Sequence, residues 1–179
     1  SEADQGIYDA MNKGIALSSG DWINFMNAGD RFISSDVLQD INFKVRSKES
    51  VLVGDVEYDS GKIFISLINS LYLKNSIHHQ GAFYPLNLFK KLGAYDTDYK
   101  ILADYDFNLK SMVNDVQFEK LNKTIALCAD YGISDIPKLS NYQEEMRARK
   151  HYIDSKLKRM LLACYSWIRF VGKRVIRWT

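Results

Sequence analysis

Cysteine and proline are scarce in these 179 residues, with two of each. Cys128 and Cys164 lie far apart in apolar settings, which argues against a disulfide scaffold and against a cysteine-based zinc site. They read as small core residues of a chain kept in a reducing compartment. No uninterrupted apolar run reaches the roughly 18 residues of a spanning helix, and no signal-peptide pattern opens the chain. Disorder is excluded on composition, because 46% hydrophobic and 13% aromatic residues supply enough apolar surface to offset the ordering entropy. The length suits one domain with a sizeable core rather than two.

No single sign of charge dominates the whole, but the two ends differ. Residues 138–179 hold 11 Lys and Arg against 3 acids, whereas the first 137 residues hold 13 basic against 19 acidic. An acidic body with a basic tail gives little surface for a phosphate backbone, so nucleic acid is not an expected partner. The tail's charge is interleaved with Trp, Phe, Ile and Leu, which points first to a membrane surface.

Along the chain the pattern alternates. Ile7 to Ser19 carries Ile7, Ala10, Met11 and Ile15 at helical spacing, with Gly20 as a stop. Asp21 to Met26 reads as a buried strand ending in the turn Asn27-Ala28-Gly29-Asp30. Ser35 and Asp36 can cap a helix to about Val45. Val51 to Gly54 and Ile63 to Ile65 read as strands, Ser76 to Tyr84 as a loop or irregular strand, and Pro85 opens a short helix ending at Gly93. Ala103 to Val113 reads as a helix and Ile125 to Ala129 as a strand, and Asn141 to Trp178 is one long helix or two. The expectation is an α/β domain over 1–137 with a basic amphipathic helical extension over 138–179.

Three stretches carry candidate chemistry, each with a plainer alternative. Asp30 and Asn27 close a strand, where open α/β sheets place ligands, and suit Mg²⁺ or Mn²⁺ shared with phosphates; they also make an ordinary turn. Asp104 and Asp106 stand near a helix start on different helical faces, so one of them can face a site. Asp104 is then a general base or a helix cap. His79, in His78-His79-Gln80, is either a hydrogen-bonding group toward phosphate or sugar or a satisfied structural histidine.

Taken together, these stretches resemble bacterial family 2 glycosyltransferases, inverting enzymes of the GT-A fold. The resemblance runs over about residues 1–135 and rests on Ser1 to Ile15, Gly20 to Asp30, His79-Gln80, and Gly93-Ala94-Tyr95-Asp96 to Ala103-Asp104-Tyr105-Asp106-Phe107, in that order. It implies a GT-A-like mixed sheet flanked by helices, lacking its first strands, since the chain enters after the nucleotide-base-binding strand and turn. It implies that Asp30 holds the metal bridging the donor diphosphate, with Asn27 in place of the first acid of an Asp-x-Asp and Gly29 in place of the second. Asp104 takes the position of the base that activates the acceptor hydroxyl, with Ala103 where the family has Glu. Asp9, Asn12 and Lys13 fall in the segment approaching the donor, and His79 joins the donor site.

The implied reaction moves a sugar from a nucleotide-sugar donor to a glycan or lipid-linked acceptor in surface-polysaccharide assembly. On a helical wheel Lys158, Arg159, Arg169, Lys173 and Arg177 share one side of the tail. Leu157, Leu161, Cys164, Ile168, Val171 and Val175 share the other, beside Met160, Trp167 and Trp178. Leu162, Phe170 and Ile176 interrupt the basic side. The expected setting is the cytoplasmic face of the cell membrane, with packing on its own domain or pairing into a homo-oligomer as the alternatives. The competing functional reading is a non-catalytic accessory module that binds membrane or a partner through this helix.

Overall fold

A computed structural model describes residues 3–43, 46–130 and 138–176. The domain boundary at 137, Val45, Arg177, Trp178 and the side chain of Val175 lie outside the described residues.

The sheet is mixed. Its strands are β1 (Trp22–Ile23), β2 (Arg31–Phe32), β3 (Val51–Tyr58), β4 (Ile63–Phe64), β5 (Ala82–Pro85) and β6 (Phe118–Cys128), ordered β1-β5-β3-β6-β2, with β4 on the far end of β3. β3 and β6 run parallel, while the other pairings are antiparallel. Val51 to Gly54 are all buried, the continuous apolar run of a central strand covered on both faces. A register shift around Asp55 bends this pair. There Gly54 lets β6 approach, because a Cβ would land on the Ile125 side chain and within 2.9 Å of the Lys123 carbonyl.

The helices are α1 (Ile7–Leu17), α2 (Val37–Ile41), α3 (Leu86–Leu92), α4 (Ala103–Val113), α5 (Leu139–Tyr152) and α6 (Lys156–Ile176). α1, α3 and α4 meet the sheet through an aromatic cluster in which Phe89 stacks on Phe107 at 4.5 Å, ringed by Tyr84, Phe25 and Tyr95. α4 occupies the residues its periodicity predicts.

Several expectations are corrected. The strand from Asp21 contracts to two residues, because the Asn24 amide turns to donate to the carbonyls of Gln80 and Ala82 and Phe25 joins the aromatic cluster. α2 has no side-chain cap from Asp36 and stops at Asn42, which is left-handed at φ 50°. β6 begins at Phe118, well before Ile125: Glu119 and Lys120 carry no strand signal, but pairing with Leu52 and Val53 of β3 holds them extended. Ion pairs Arg46–Glu119 and Lys120–Asp55 occupy their charges.

Cys128 is buried, and burial pushes its thiol up to about 12 with the charge of Asp30 adding to the shift. Cys164 is exposed on α6, not in the core. α6 explains why. It seats on the body through Ser166 and Phe170, with Phe170 edge-on to Tyr142 at 5.3 Å, so one residue that interrupts the basic side of the wheel is buried, while the side chain of Ile176 lies outside the described residues. Leu157, Leu161, Trp167, Ile168 and Val171 face outward, and Trp167 is 57% exposed. Among the described residues no helix is long and apolar enough to cross a membrane.

Candidate active site

The turn after β1 folds back on itself. The Asp30 amide donates to the Asn27 carbonyl at 3.0 Å, and the Asn27 amide returns a bond to Asp30 Oδ2 at 3.1 Å. Gly29 takes the φ of 94° that closes the turn. The carboxylate is not confined to the turn, since Gln80 Nε2 donates to Oδ2 at 2.7 Å. Gln80 sits in a single 3-10 turn, His79–Gly81, that leads into β5. Gly81 is required there: a Cβ would come within 2.8 Å of the Gly54 carbonyl oxygen on β3.

The same 3-10 turn delivers His79 between two motifs. Its Nε2 lies 3.4 Å from Asn27 Nδ2, and its Nδ1 lies 3.6 Å from Asp104 Oδ2. With the proton on Nδ1, facing the carboxylate, Nε2 accepts from the Asn27 amide, which makes both contacts favourable in one tautomer. Asp30, Asn27, His79 and Asp104 therefore form one polar line, assembled from segments that are far apart in the chain. His78 stays off that line, edge-on to the rings of Tyr58 and Phe64 and stacked on His79 with ring centres 5.6 Å apart.

Asp104 is held by one oxygen. Its Oδ1 accepts from the Tyr105 amide at 2.8 Å and from the Tyr8 hydroxyl at 3.2 Å, while Oδ2 faces His79. Burial, reinforced by the Asp104 charge, pushes the Tyr8 hydroxyl far up, so it stays a donor. Asp104 is not the helix cap. The cap position is held by Leu102, with no side-chain bond, and Glu144 of α5 accepts the N–H groups of Lys100, Ile101 and Leu102 just ahead of the helix at 2.8 to 3.0 Å. Asp106 diverges to the opposite side, where Tyr152 donates to its Oδ2 at 3.2 Å and burial raises its carboxyl above the usual range.

The α1 candidates are engaged locally. Asp9 accepts from the Gln5 amide and pairs with Lys13 at 3.1 Å, and these contacts hold its carboxyl low. Lys13 also pairs with Asp4 at 3.0 Å. Asn12 bonds both backbone groups of Tyr95 at 2.9 Å, fixing the loop before α4. What α1 brings to Asp104 is Tyr8, a residue the motif reading did not single out.

Asp104 and His79 open onto a cleft of about 190 Å³. Ile101 and Leu102 form part of one wall, and Tyr142, Glu145, Arg169 and Lys173 of α5 and α6 form the other. No local signal marks this wall in the sequence, since Arg169 and Lys173 read there as part of a solvated or lipid-facing side. Two residues of that basic side thus turn inward.

Among the described residues no group of three or more His, Cys, Asp or Glu converges to hold a metal ion. Asp30 supplies a single carboxylate, beside a buried Gln80 Oε1 without a partner. Such an oxygen donor set fits Mg²⁺ or Mn²⁺ only where substrate phosphates complete the coordination.

No family model matches the chain. It is 36% identical over 120 residues to a PGL/p-HBAD biosynthesis glycosyltransferase of Mycobacterium tuberculosis, covering 63% of this chain and 46% of the relative. It is 38% identical over 121 residues to an uncharacterized glycosyltransferase of the same organism, covering 62% and 46%. The chain thus spans about half the length of the curated relatives it matches. Among solved structures it superposes on S. aureus TarS with a TM-score of 0.62 at 16% identity, over 91% of this chain and 50% of that one. A TarS complex with UDP-GlcNAc gives 0.61 at 16% identity, over 89% and 51%. With its mixed sheet flanked by helices the chain has the GT-A-like fold of these structures, and in sequence it is similar to bacterial glycosyltransferases.

Proposed function

We propose that the chain serves transfer of a sugar from a nucleotide-diphosphate donor to an acceptor hydroxyl, with inversion at the anomeric carbon, in bacterial surface-glycan assembly. The observation that carries this reading is the polar line from Asp30 through Asn27 and His79 to Asp104. It supplies, at opposite ends, the two groups the chemistry needs. Asp104 Oδ2 takes the proton of the attacking hydroxyl, while Tyr8 and the Tyr105 amide keep the carboxylate in place through Oδ1. The Asn27 amide has a second hydrogen for the donor's sugar and phosphates, and His79, whose one N–H faces Asp104, holds that amide in place. Asp30, steadied by Gln80, would hold Mg²⁺ or Mn²⁺, whose charge offsets that growing on the leaving diphosphate. Asp9, Asn12 and Lys13 shape the adjoining segment.

The outward stripe of α6 supports a place on a membrane surface. Leu157, Leu161, Trp167, Ile168 and Val171 form an exposed apolar strip flanked by Lys156, Lys158 and Arg174, the composition of a helix lying in an anionic lipid interface. Retention on anionic but not neutral liposomes at low salt is the expected result, and failure to sediment with either sinks the attachment.

The donor site is tested by calorimetric titration of UDP, the nucleotide of the TarS complexes, with and without Mn²⁺. Metal-dependent binding that Asp30→Ala weakens by about tenfold or more is expected. A folded chain that binds no nucleotide diphosphate with either metal overturns the reading.

A further inference from the structure

The first turn of α6 carries charge that the fold gains nothing from. Lys156, Lys158 and Arg159 stand there with no acid beside them, against the positive end of the helix dipole, where a carboxylate would be the stabilising choice. The whole helix, Lys156–Ile176, contains no Asp or Glu.

Two of these cations border a groove. α5 and α6 pack together across the link 153–155, and a groove of about 360 Å³ opens between them. Lys150 of α5 and Lys156 and Arg159 of α6 line it, and Met146, Met160 and Ala163 supply its apolar surface. Arg149 also borders it, but Glu145 meets that charge from outside the groove. Lys150, Lys156 and Arg159 make no ion pair and no side-chain hydrogen bond among the described residues. Asp154, two residues ahead of Lys156, is exposed and lines no part of the groove. The lining therefore holds three uncompensated positive charges and no acid.

This combination suits a ligand that is anionic at one end and apolar at the other. A bare anion would leave Met146 and Met160 in water, and an apolar segment would leave three cations unmatched. Methionine walls adapt to flexible hydrocarbon. Met160 also stands one turn from Leu157, where the exposed apolar strip of α6 begins, so the groove opens at the edge of the surface proposed above to lie on lipid.

We propose that Lys150, Lys156 and Arg159 form a binding site for the headgroup phosphate of one anionic phospholipid, with Met146, Met160 and Ala163 receiving the start of its acyl chains. Placing that lipid in a bilayer rests on the membrane reading above; the groove itself does not. Lys150 belongs to α5, off the α6 strip, so the site differs from the diffuse attraction of a basic helix to a charged surface.

The test titrates dihexanoyl phosphatidylglycerol, below its micelle-forming concentration, into the chain at low salt. That lipid is expected to bind, and dihexanoyl phosphatidylcholine, with identical chains, is not. The same anionic headgroup without chains, sn-glycero-3-phosphoglycerol, is expected to bind more weakly by about tenfold or more. Lys150→Gln and Lys156→Gln are each expected to weaken binding of the anionic lipid about fivefold, the effect of one lysine beside an anionic headgroup. Lys158→Gln with Arg174→Gln takes more charge from α6 but none from the groove, so binding of the monomeric lipid is expected to hold. No binding of the anionic lipid overturns the site, as does equal binding of the two lipids or of the headgroup without chains. A Lys150→Gln chain that binds like the parent, or equal loss in the Lys158/Arg174 control, overturns it too. If the monomeric lipid binds in the expected pattern while anionic liposomes retain no chain, the membrane reading fails and the groove stands. If liposomes retain a chain that binds no monomeric lipid, the groove fails and the strip stands.

Discussion

The Tyr8 hydroxyl donates to Asp104 Oδ1 at 3.2 Å across 96 residues of sequence, and to the Ile101 carbonyl as well. This one group ties α1 to the start of α4 and leaves Asp104 with a single oxygen toward the cleft. Tyr8→Phe removes the donor and keeps the ring. Two buried acceptors then lose a partner, so urea unfolding is expected to show a loss of about 1 to 3 kcal/mol. Sugar transfer is expected to fall while UDP binding holds, because Tyr8 touches Asp104, the proposed base, and not the Asp30 turn. Unchanged stability would show that the bond contributes nothing.

Asp104→Asn is the sharper chemical probe. The amide oxygen can still accept from Tyr8 and Tyr105, so folding and UDP binding are expected to persist. Initial rates of UDP-sugar turnover are expected to drop by about 10² to 10⁴, the usual contribution of a general base. Asp106→Asn, on the other side of the helix, is expected to leave those rates close to the parent's. Equal loss in both variants would mean that α4 is merely perturbed.

The sequence made some of this legible and hid the rest for physical reasons. α4 and the turn Asn27–Asp30 follow from local rules, apolar spacing in one case and Asn-Gly-Asp turn chemistry in the other, so they stand where the residues place them. β6 does not: Glu119 and Lys120 are extended because β3 pairs with them, a long-range cause without a local mark. The wheel of α6 misleads similarly. It ranks faces by hydropathy, whereas the helix is seated by Ser166 and the Leu162 carbonyl accepting from Arg149, and by Phe170 against Tyr142. The α5–α6 wall of the cleft was hidden by the same long-range packing. The contact of Asp104 with His79 was not marked locally either; only the order of the motifs pointed to it.

Arg149 is the bolt between that helical pair and the body. Only 2% exposed, it donates to the Tyr105 hydroxyl at 3.1 Å, the Leu73 carbonyl at 2.6 Å, the Leu162 carbonyl at 3.2 Å and Ser166 Oγ at 2.9 Å, and it pairs with Glu145. Arg149→Met is expected to destabilise the fold by about 3 to 5 kcal/mol, because it leaves the buried Glu145 with Arg169 alone and takes the donor from four buried or part-buried acceptors. Adding Glu145→Gln is expected to restore part of the loss, since the buried carboxylate that kept only one of its two guanidinium partners is then gone. Chemical denaturation of the three chains reads this directly, and a single variant within experimental scatter of the parent would refute the bolt.

Asp106 gives the fold a pH dependence of definite sign. Burial raises its carboxyl above the ordinary range, against the bond from Tyr152, the nearby Tyr99 hydroxyl and the nearby His151 that lower it, with Asp96 opposing them. Because the folded state holds this proton to higher pH than the unfolded chain does, the native state binds more protons between the two values. The stability that Asp106 contributes is therefore full below the unfolded value of about 4 and is lost as pH rises through the folded one. Asp106→Asn is neutral throughout and removes that loss, while its amide can still accept from Tyr152. The difference in unfolding free energy, variant minus parent, is expected to move in the variant's favour from acid to neutral pH and then to level off. Urea unfolding of both chains across that range measures it, and a difference that is flat or slopes the other way would show that Asp106 is ionised at no cost in the native fold.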